Sequence, residues 1–232
     1  MGFVLPPPAV ASLAVEGTTD RFPIRRIFCV GRNYEAHARE MGRDPSREPP
    51  FFFTKPADSV VENNSTVPYP PETKNYHYEM ELVVVIGKDG FDIPEEKALE
   101  HVWGYAAGLD MTRRDLQLAA REQGRPWDWG KSFDKSAPIA PIQPASKIGH
   151  PCSGRIWLSV NGVVRQDADI ADLIWSVPEI VSILSRSMRL KAGDVIMTGT
   201  PAGVGAVVVG DKIEGGVDGV GPISIVIGQP EA

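Results

Sequence analysis

Cysteine is scarce: Cys29 and Cys152 are the only two in a chain of 232 residues. That excludes a disulfide framework and any Cys-rich zinc spacing. Cys29 sits in the apolar run Ile27-Phe28-Cys29-Val30, where a buried, reduced thiol is expected. Basic clusters are also missing, and the net charge is −6. Phosphate backbones need basic patches, so no nucleic-acid partner is expected. No apolar run approaches the length of a membrane span, so no membrane partner is expected either. At the start of the chain, Pro6-Pro7-Pro8 replaces the basic and long apolar segments of a signal peptide. Pro6 also stands where N-myristoylation calls for a hydroxyl residue. These absences together predict a soluble, cytoplasmic protein. Neither internal repeats nor a low-complexity linker divides it.

What is present is ordinary in bulk and particular in detail. A chain of 232 residues with 42% hydrophobic and 23% charged residues buries a core and reads as globular. Its 23 glycines and 21 prolines predict many turns, as in a β-rich enzyme with functional loops. Residues 1–26 read as an N-terminal arm, and 27–232 as a single domain.

The chain is organised around Tyr76-His77-Tyr78-Glu79-Met80-Glu81-Leu82-Val83-Val84-Val85-Ile86-Gly87. Its second half is a β-branched apolar run, the pattern of a buried strand. Glu79 and Glu81, two apart, would project from one face of that strand. Two like charges leading into an apolar strand fit either a solvated strand end or a cation site. Asp110 follows a second strand-like run, Val102 to Leu109. With Glu79 and Glu81 it makes an all-oxygen, triply anionic set suited to hard Mg²⁺ or Mn²⁺. Zinc fits less well, since His77 is the only nitrogen or sulfur ligand at hand.

Other segments add candidates. Asn33 is expected to cap a short helix from Tyr34 to Met41, closed by Gly42. On that helix His37 and Glu40, three apart, share a face, either as a surface ion pair or as a functional dyad. Phe51-Phe52-Phe53 leads to Lys55, as a packed strand or as a strand delivering the lysine into a pocket. Ile93 to Glu100 reads as a short helix. Thr112 and Asp115 predict a capping box for a helix from Arg113 to Arg121, with Arg114 and Gln117 facing one way. Lys131 lies in an aromatic loop, Trp127 to Phe133, where desolvation would lower its pKa; a snorkelling surface lysine is the alternative. Asn161-Gly162 predicts a type I′ hairpin, and Ser176 with Glu179 a capped helix to Met188. Thr198-Gly199-Thr200-Pro201 exposes backbone N–H groups suited to an anion or oxyanion.

In this order, Gly31-Arg32-Asn33-Tyr34 with His37 and Glu40, the Glu79-x-Glu81-Leu82 pair, Leu109-Asp110-Met111-Thr112, Lys131-Ser132-Phe133 and Thr198-Gly199-Thr200-Pro201 resemble the fumarylacetoacetate hydrolase family. The likeness is to its short acylpyruvase-like branch and covers about Ile27 to Ile227. Pro6–Pro8, Phe51 to Pro56 and Asp128 are most similar to bacterial members acting on fumarylpyruvate in gentisate breakdown. The resemblance implies an α+β, β-rich mixed β-roll with a few short helices, a homodimer, and hydrolysis of a carbon–carbon bond in a 2,4-diketo acid. It implies Glu79, Glu81 and Asp110 as ligands of one Mg²⁺ or Mn²⁺, and His37, Glu40 and Lys131 as catalytic residues. Arg32, Lys55, Arg114, Gln117, Gly199 and Thr200 are the implied substrate contacts. Tyr78 departs from the family pattern, which often has histidine there; strand alternation points it away from the metal. Three rival readings remain at this stage: oxaloacetate decarboxylation, an isomerase or another acylpyruvase, and a binding module without turnover.

Overall fold

An apolar strand with no polar alternation is satisfied only by burial on both faces, and Met80–Ile86 is buried at every position. The computed structural model describes residues 2–40 and 48–231. In it Met80, Leu82, Val84 and Ile86 enter one hydrophobic core, while Val83 and Val85 enter a second. The strand Arg26–Gly31 divides in the same way, Phe28 and Val30 to the first core, Ile27 and Cys29 to the second. Side chains alternating across a sheet explain both.

Among the described residues the largest sheet has eight strands. Its order is Phe51–Lys55, Arg26–Gly31, Asp194–Met197, Met80–Ile86, Val102–Leu109, Ala137–Ile139 and Val60–Glu62, with Gln143–Pro144 also paired to Val102–Leu109. Asp194–Met197 runs parallel to Arg26–Gly31 and antiparallel to Met80–Ile86, so the sheet is mixed. A five-stranded sheet made of Val163–Asp169, Arg155–Val160, Lys212–Val217, Gly221–Gly228 and Ser65–Pro68 closes over the first core with Ile156, Leu158, Ile213, Ile223 and Ile225. The second core is covered by the paired strands Ser12–Ala14 and Arg21–Pro23, which contribute Leu13 and Phe22. Residues 2–10 are exposed. This is the expected β-rich class with a few short helices.

Several local expectations hold. Asn161 and Gly162 have φ of 51° and 79°, as a type I′ turn requires, and join two paired strands. Ser176 and Glu179 form their capping box at the head of the helix Val177–Ser187.

Others are corrected. The Thr112–Asp115 box does not form, and the helix is Arg114–Glu122. Thr112 instead pairs with His77 across a short sheet, and Asp115 accepts from the Thr73 hydroxyl at 2.5 Å and the Lys74 N–H at 2.9 Å. Both side chains are taken by distant partners, which a spacing rule does not register. The Ile93–Glu100 helix is a 3₁₀ helix, Glu95–His101. The Trp127–Phe133 loop contains a one-turn helix, Asp128–Lys131. The described part of the first helix is Glu35–Glu40; its expected end at Met41 and Gly42 lies outside the described residues. The central segment is also two strands, Tyr76–Tyr78 and Met80–Ile86, with Glu79 between them.

Cys29 is buried and Cys152 exposed; burial above all, then the neighbouring Asp110, pushes the Cys29 thiol well up. A thiol reagent at neutral pH should therefore modify Cys152 alone in the native protein and both cysteines in denaturant. Rapid modification of Cys29 without denaturant would contradict the packing of the second core.

Candidate active site

The antiparallel pairing of Met80 with Leu109 and Glu81 with Gly108 ends at Glu79 and Asp110. One more backbone hydrogen bond, from the Asp110 N–H to the Glu79 carbonyl at 2.9 Å, closes that end. Register alone thus places Glu79, Glu81 and Asp110 together, and oxygens of all three lie within 4.8 Å of one another. All three residues are buried.

Three cations answer this charge. The Lys131 ammonium donates to Glu79 Oε2 at 2.8 Å, Asp110 Oδ2 at 2.7 Å and Thr112 Oγ1 at 2.7 Å. Arg114 donates to Glu79 Oε1 and to Gln117 Oε1. Lys55 Nζ stands 2.9 Å from Asp110 Oδ1. Burial would raise the Glu79 carboxyl; Lys131 and Arg114 outweigh it and hold that carboxyl well below the usual range. Glu81 goes the other way, pushed well up by burial and then by Asp110 and Glu79. Among the described residues its one hydrogen bond is from the Gly199 N–H, at 2.7 Å. Asp110 Oδ1 is buried and faces the Lys55 ammonium, but it has no hydrogen bond among the described residues. An under-compensated Glu81 and an orphaned Asp110 oxygen, both hard oxygen donors, fit a divalent cation of the Mg²⁺ or Mn²⁺ type. His77 does not join the group. Its Nε2 meets Asn75 Oδ1 at 2.8 Å, and burial, then Arg114, lowers its pKa to about 4.

His37 and Glu40 form the expected pair, with Nδ1 and Oε2 3.0 Å apart. Burial would raise Glu40; hydrogen bonds from His37 and from the Gly203 N–H outweigh it and lower its pKa. The Gly203 N–H reaches Glu40 Oε1 at 3.1 Å, and the Gly203 carbonyl accepts from the Tyr78 hydroxyl at 3.1 Å. Tyr78 thus faces away from the carboxylates and braces the loop that holds Glu40. Gly203 has φ of +97°, and a Cβ there would lie 2.0 Å from the Arg165 carbonyl oxygen, so only glycine fits.

One cavity brings these groups together. His37 and Thr200 line it together with Glu79, Glu81, Arg114, Gln117 and Lys131. Arg32 also lines it. Lys55 and Gly199 do not: Lys55 lies beneath, its ammonium reaching the Met111 and Lys131 carbonyls. Thr200 Oγ1 accepts from Gln166 Nε2 at 2.8 Å. Asn33 caps no helix. Its side chain bonds Trp175 on both sides, at 2.7 and 2.9 Å, and the Thr198 carbonyl at 2.8 Å. The expectation that desolvation lowers the Lys131 pKa is also reversed. Burial does lower it, but Asp110 and Glu79 raise it further, so this side chain is a fixed cation and not a base.

Sequence reasoning missed Arg121, Trp127 and Phe53, which line the cavity. Arg121 was findable, being four residues beyond Gln117 on one helix face. Gln166 and Tyr78 act through contacts far along the chain, which no local pattern reports.

Comparison with known proteins agrees with this arrangement. Residues 26–227 match the family model for the fumarylacetoacetate (FAA) hydrolase C-terminal domain. Over 193 residues the chain is 52% identical to a fumarylpyruvate hydrolase of a Ralstonia species, covering 82% of this chain and 100% of that protein. It is 44% identical to a mitochondrial oxaloacetate tautomerase of Rattus norvegicus, over 84% of this chain and 88% of that one. The crystal structure of fumarylpyruvate hydrolase from Pseudomonas aeruginosa in complex with Mn²⁺ and pyruvate superposes with a TM-score of 0.97 at 57% identity, covering 98% of this chain and 100% of that chain.

Mn²⁺ at about 100 times its dissociation constant should add about 2.7 kcal/mol of stability, seen as a higher thermal midpoint. In Glu81→Gln that gain should largely vanish, while the metal-free variant melts no lower than the metal-free parent, because a like charge has been removed. A metal-free variant that melts well below its parent would count against the repulsion described here.

Proposed function

The chain belongs to the fumarylacetoacetate hydrolase family, and from that membership we propose that it is a metal-dependent hydrolase of a carbon–carbon bond in a 2,4-diketo acid, cleaving fumarylpyruvate to fumarate and pyruvate. The observation that carries this is the shared cavity. Glu79 and Glu81, grouped with Asp110, line it together with His37, which is paired with Glu40. Glu79, Glu81 and Asp110 would hold Mg²⁺ or Mn²⁺, which supplies Lewis-acid polarisation of the 2-oxo acid end.

The chain's own residues account for the rest. Glu40 fixes the His37 ring through Nδ1 and leaves Nε2 to take a proton from water. The hydroxide so formed adds to the distal ketone carbon. The carbon–carbon bond then breaks, its electron pair goes to the pyruvate methylene carbon, and the proton held by His37 is returned there. The Lys131 charge and the N–H group at Thr200 oppose the negative charge that develops, the Gly199 N–H being taken by Glu81; one such donor is worth about 3 kcal/mol of barrier. Gln117 orients the substrate from the wall beside Arg114.

The setting we propose is gentisate-type aromatic breakdown in the cytoplasm, with the protein a homodimer. Its support is the likeness to fumarylpyruvate hydrolases; in addition, no helix among the described residues is long and apolar enough to cross a membrane.

The test follows loss of the ultraviolet enol band of fumarylpyruvate with Mg²⁺ or Mn²⁺, then with EDTA, and with oxaloacetate alongside. Fast, metal-dependent loss yielding fumarate and pyruvate is expected. His37→Asn and Glu40→Gln should each slow it by about 10²-fold or more. Undiminished hydrolysis by Glu40→Gln would end the dyad assignment. Faster turnover of oxaloacetate than of fumarylpyruvate would displace the hydrolase reading.

A further inference from the structure

The cations lining the cavity are not equally answered. Arg114 and Lys131 are held by buried carboxylates at its floor. Arg121, on the same helix, lines the same cavity, yet it has no ion pair and no side-chain hydrogen bond among the described residues. It is half-buried, so its charge is only partly screened by water. A guanidinium facing a cavity without a counter-charge is a seat for a carboxylate, which it grips in a planar fork.

The helix fixes where that carboxylate would lie. Arg121 is one turn beyond Gln117, a rise of about 6 Å. The two terminal carboxylate carbons of an extended seven-carbon diketo diacid stand roughly 7–8 Å apart, with bonds of about 1.5 Å. Arg114, at the start of that helix, is bonded to Glu79, so an anion whose 2-oxo acid end lies at the carboxylate triad and which runs along the helix would carry its far end toward Arg121. Trp127 and Phe53, with ring centroids 5.8 Å apart, line the same cavity. That surface suits a flat, conjugated chain.

We propose that Arg121 determines specificity by binding the distal carboxylate of the acyl group, so that the site selects dicarboxylic over monocarboxylic acylpyruvates. This rests on the function proposed above and names the part of the substrate that the catalytic groups leave unread.

The experiment compares the parent protein with Arg121→Gln and Arg121→Lys. Turnover of fumarylpyruvate is measured against acetylpyruvate, which lacks the distal carboxylate. Calorimetric binding of fumarate is measured against crotonate, its monocarboxylic analogue, in the presence of Mg²⁺. Arg121→Gln should lower the fumarylpyruvate-to-acetylpyruvate ratio of kcat/KM by about 10- to 100-fold, and Arg121→Lys should restore part of it. Fumarate should lose its binding advantage over crotonate in Arg121→Gln. An unchanged ratio, or an equal fall for both substrates, overturns the assignment. If the parent does not hydrolyse fumarylpyruvate, the function reading fails by itself. The fumarate–crotonate difference then still decides the role of Arg121.

Discussion

The backbone hydrogen bond between Asp110 and Glu79 is the constraint on which the rest of this site depends. It extends the pairing of two buried strands by one step and thereby forces like charges into a space where neither water nor distance can separate them. Burying carboxylates costs several kcal/mol each unless they are answered. The surrounding structure is largely that answer. Lys131 is delivered by a one-turn helix, Arg114 by the start of the helix before it, and Lys55 by the edge strand of the large sheet. Even so, Glu81 is left with a single hydrogen bond from backbone and two negative neighbours. A protein selected for stability alone would place an apolar residue there. Retaining the charge is intelligible if a cation completes the cluster.

The His37–Glu40 pair depends on a different device. Glu40 is held from outside its own helix, by the N–H of Gly203, and Gly203 is braced in turn by Tyr78. Gln166 performs a similar service one loop earlier: it holds Thr200 and the Pro201 carbonyl while accepting from the Met80 N–H. The loop Thr198 to Gly203 is therefore tied to the central strand at one end and to the dyad at the other. Motion of this loop would alter the His37–Glu40 geometry and the Gly199 contact to Glu81 together.

The separation between what the sequence revealed and what it hid follows sequence distance. The central strand, the second strand ending at Leu109, the Asn161-Gly162 hairpin and the Ser176–Glu179 cap were legible, because apolar periodicity and turn chemistry are local. The carboxylate triad was legible because strand alternation and register are simple rules. Asn33 and Thr112 were misread as caps for the complementary reason. A short polar side chain beside a helix start satisfies a local pattern equally well whether or not a remote carbonyl or lysine claims it, and here remote groups did. The sign of the Lys131 shift was misread likewise. Desolvation is suggested by aromatic neighbours in sequence, whereas Asp110 and Glu79 arrive only through the fold.

The same distinction explains why the reaction is easier to read than the substrate. The groups proposed to hold a metal or meet the reacting carbon are charged or titratable and mutually constrained, so each implies the others. Glu79 without Lys131, or His37 without Glu40, would be an energetic anomaly. A residue that recognises the far end of the acyl group has no such partner within the protein, since its partner is the substrate. Arg121 is half-exposed and, among the described residues, unpaired, and on a helix surface it resembles any solvated arginine. What distinguishes it is its place on the wall of the cavity in which Glu79 already answers Arg114 and Lys131. For this fold, an unanswered charge inside an otherwise answered cavity is a more informative sign of selectivity than any motif along the chain.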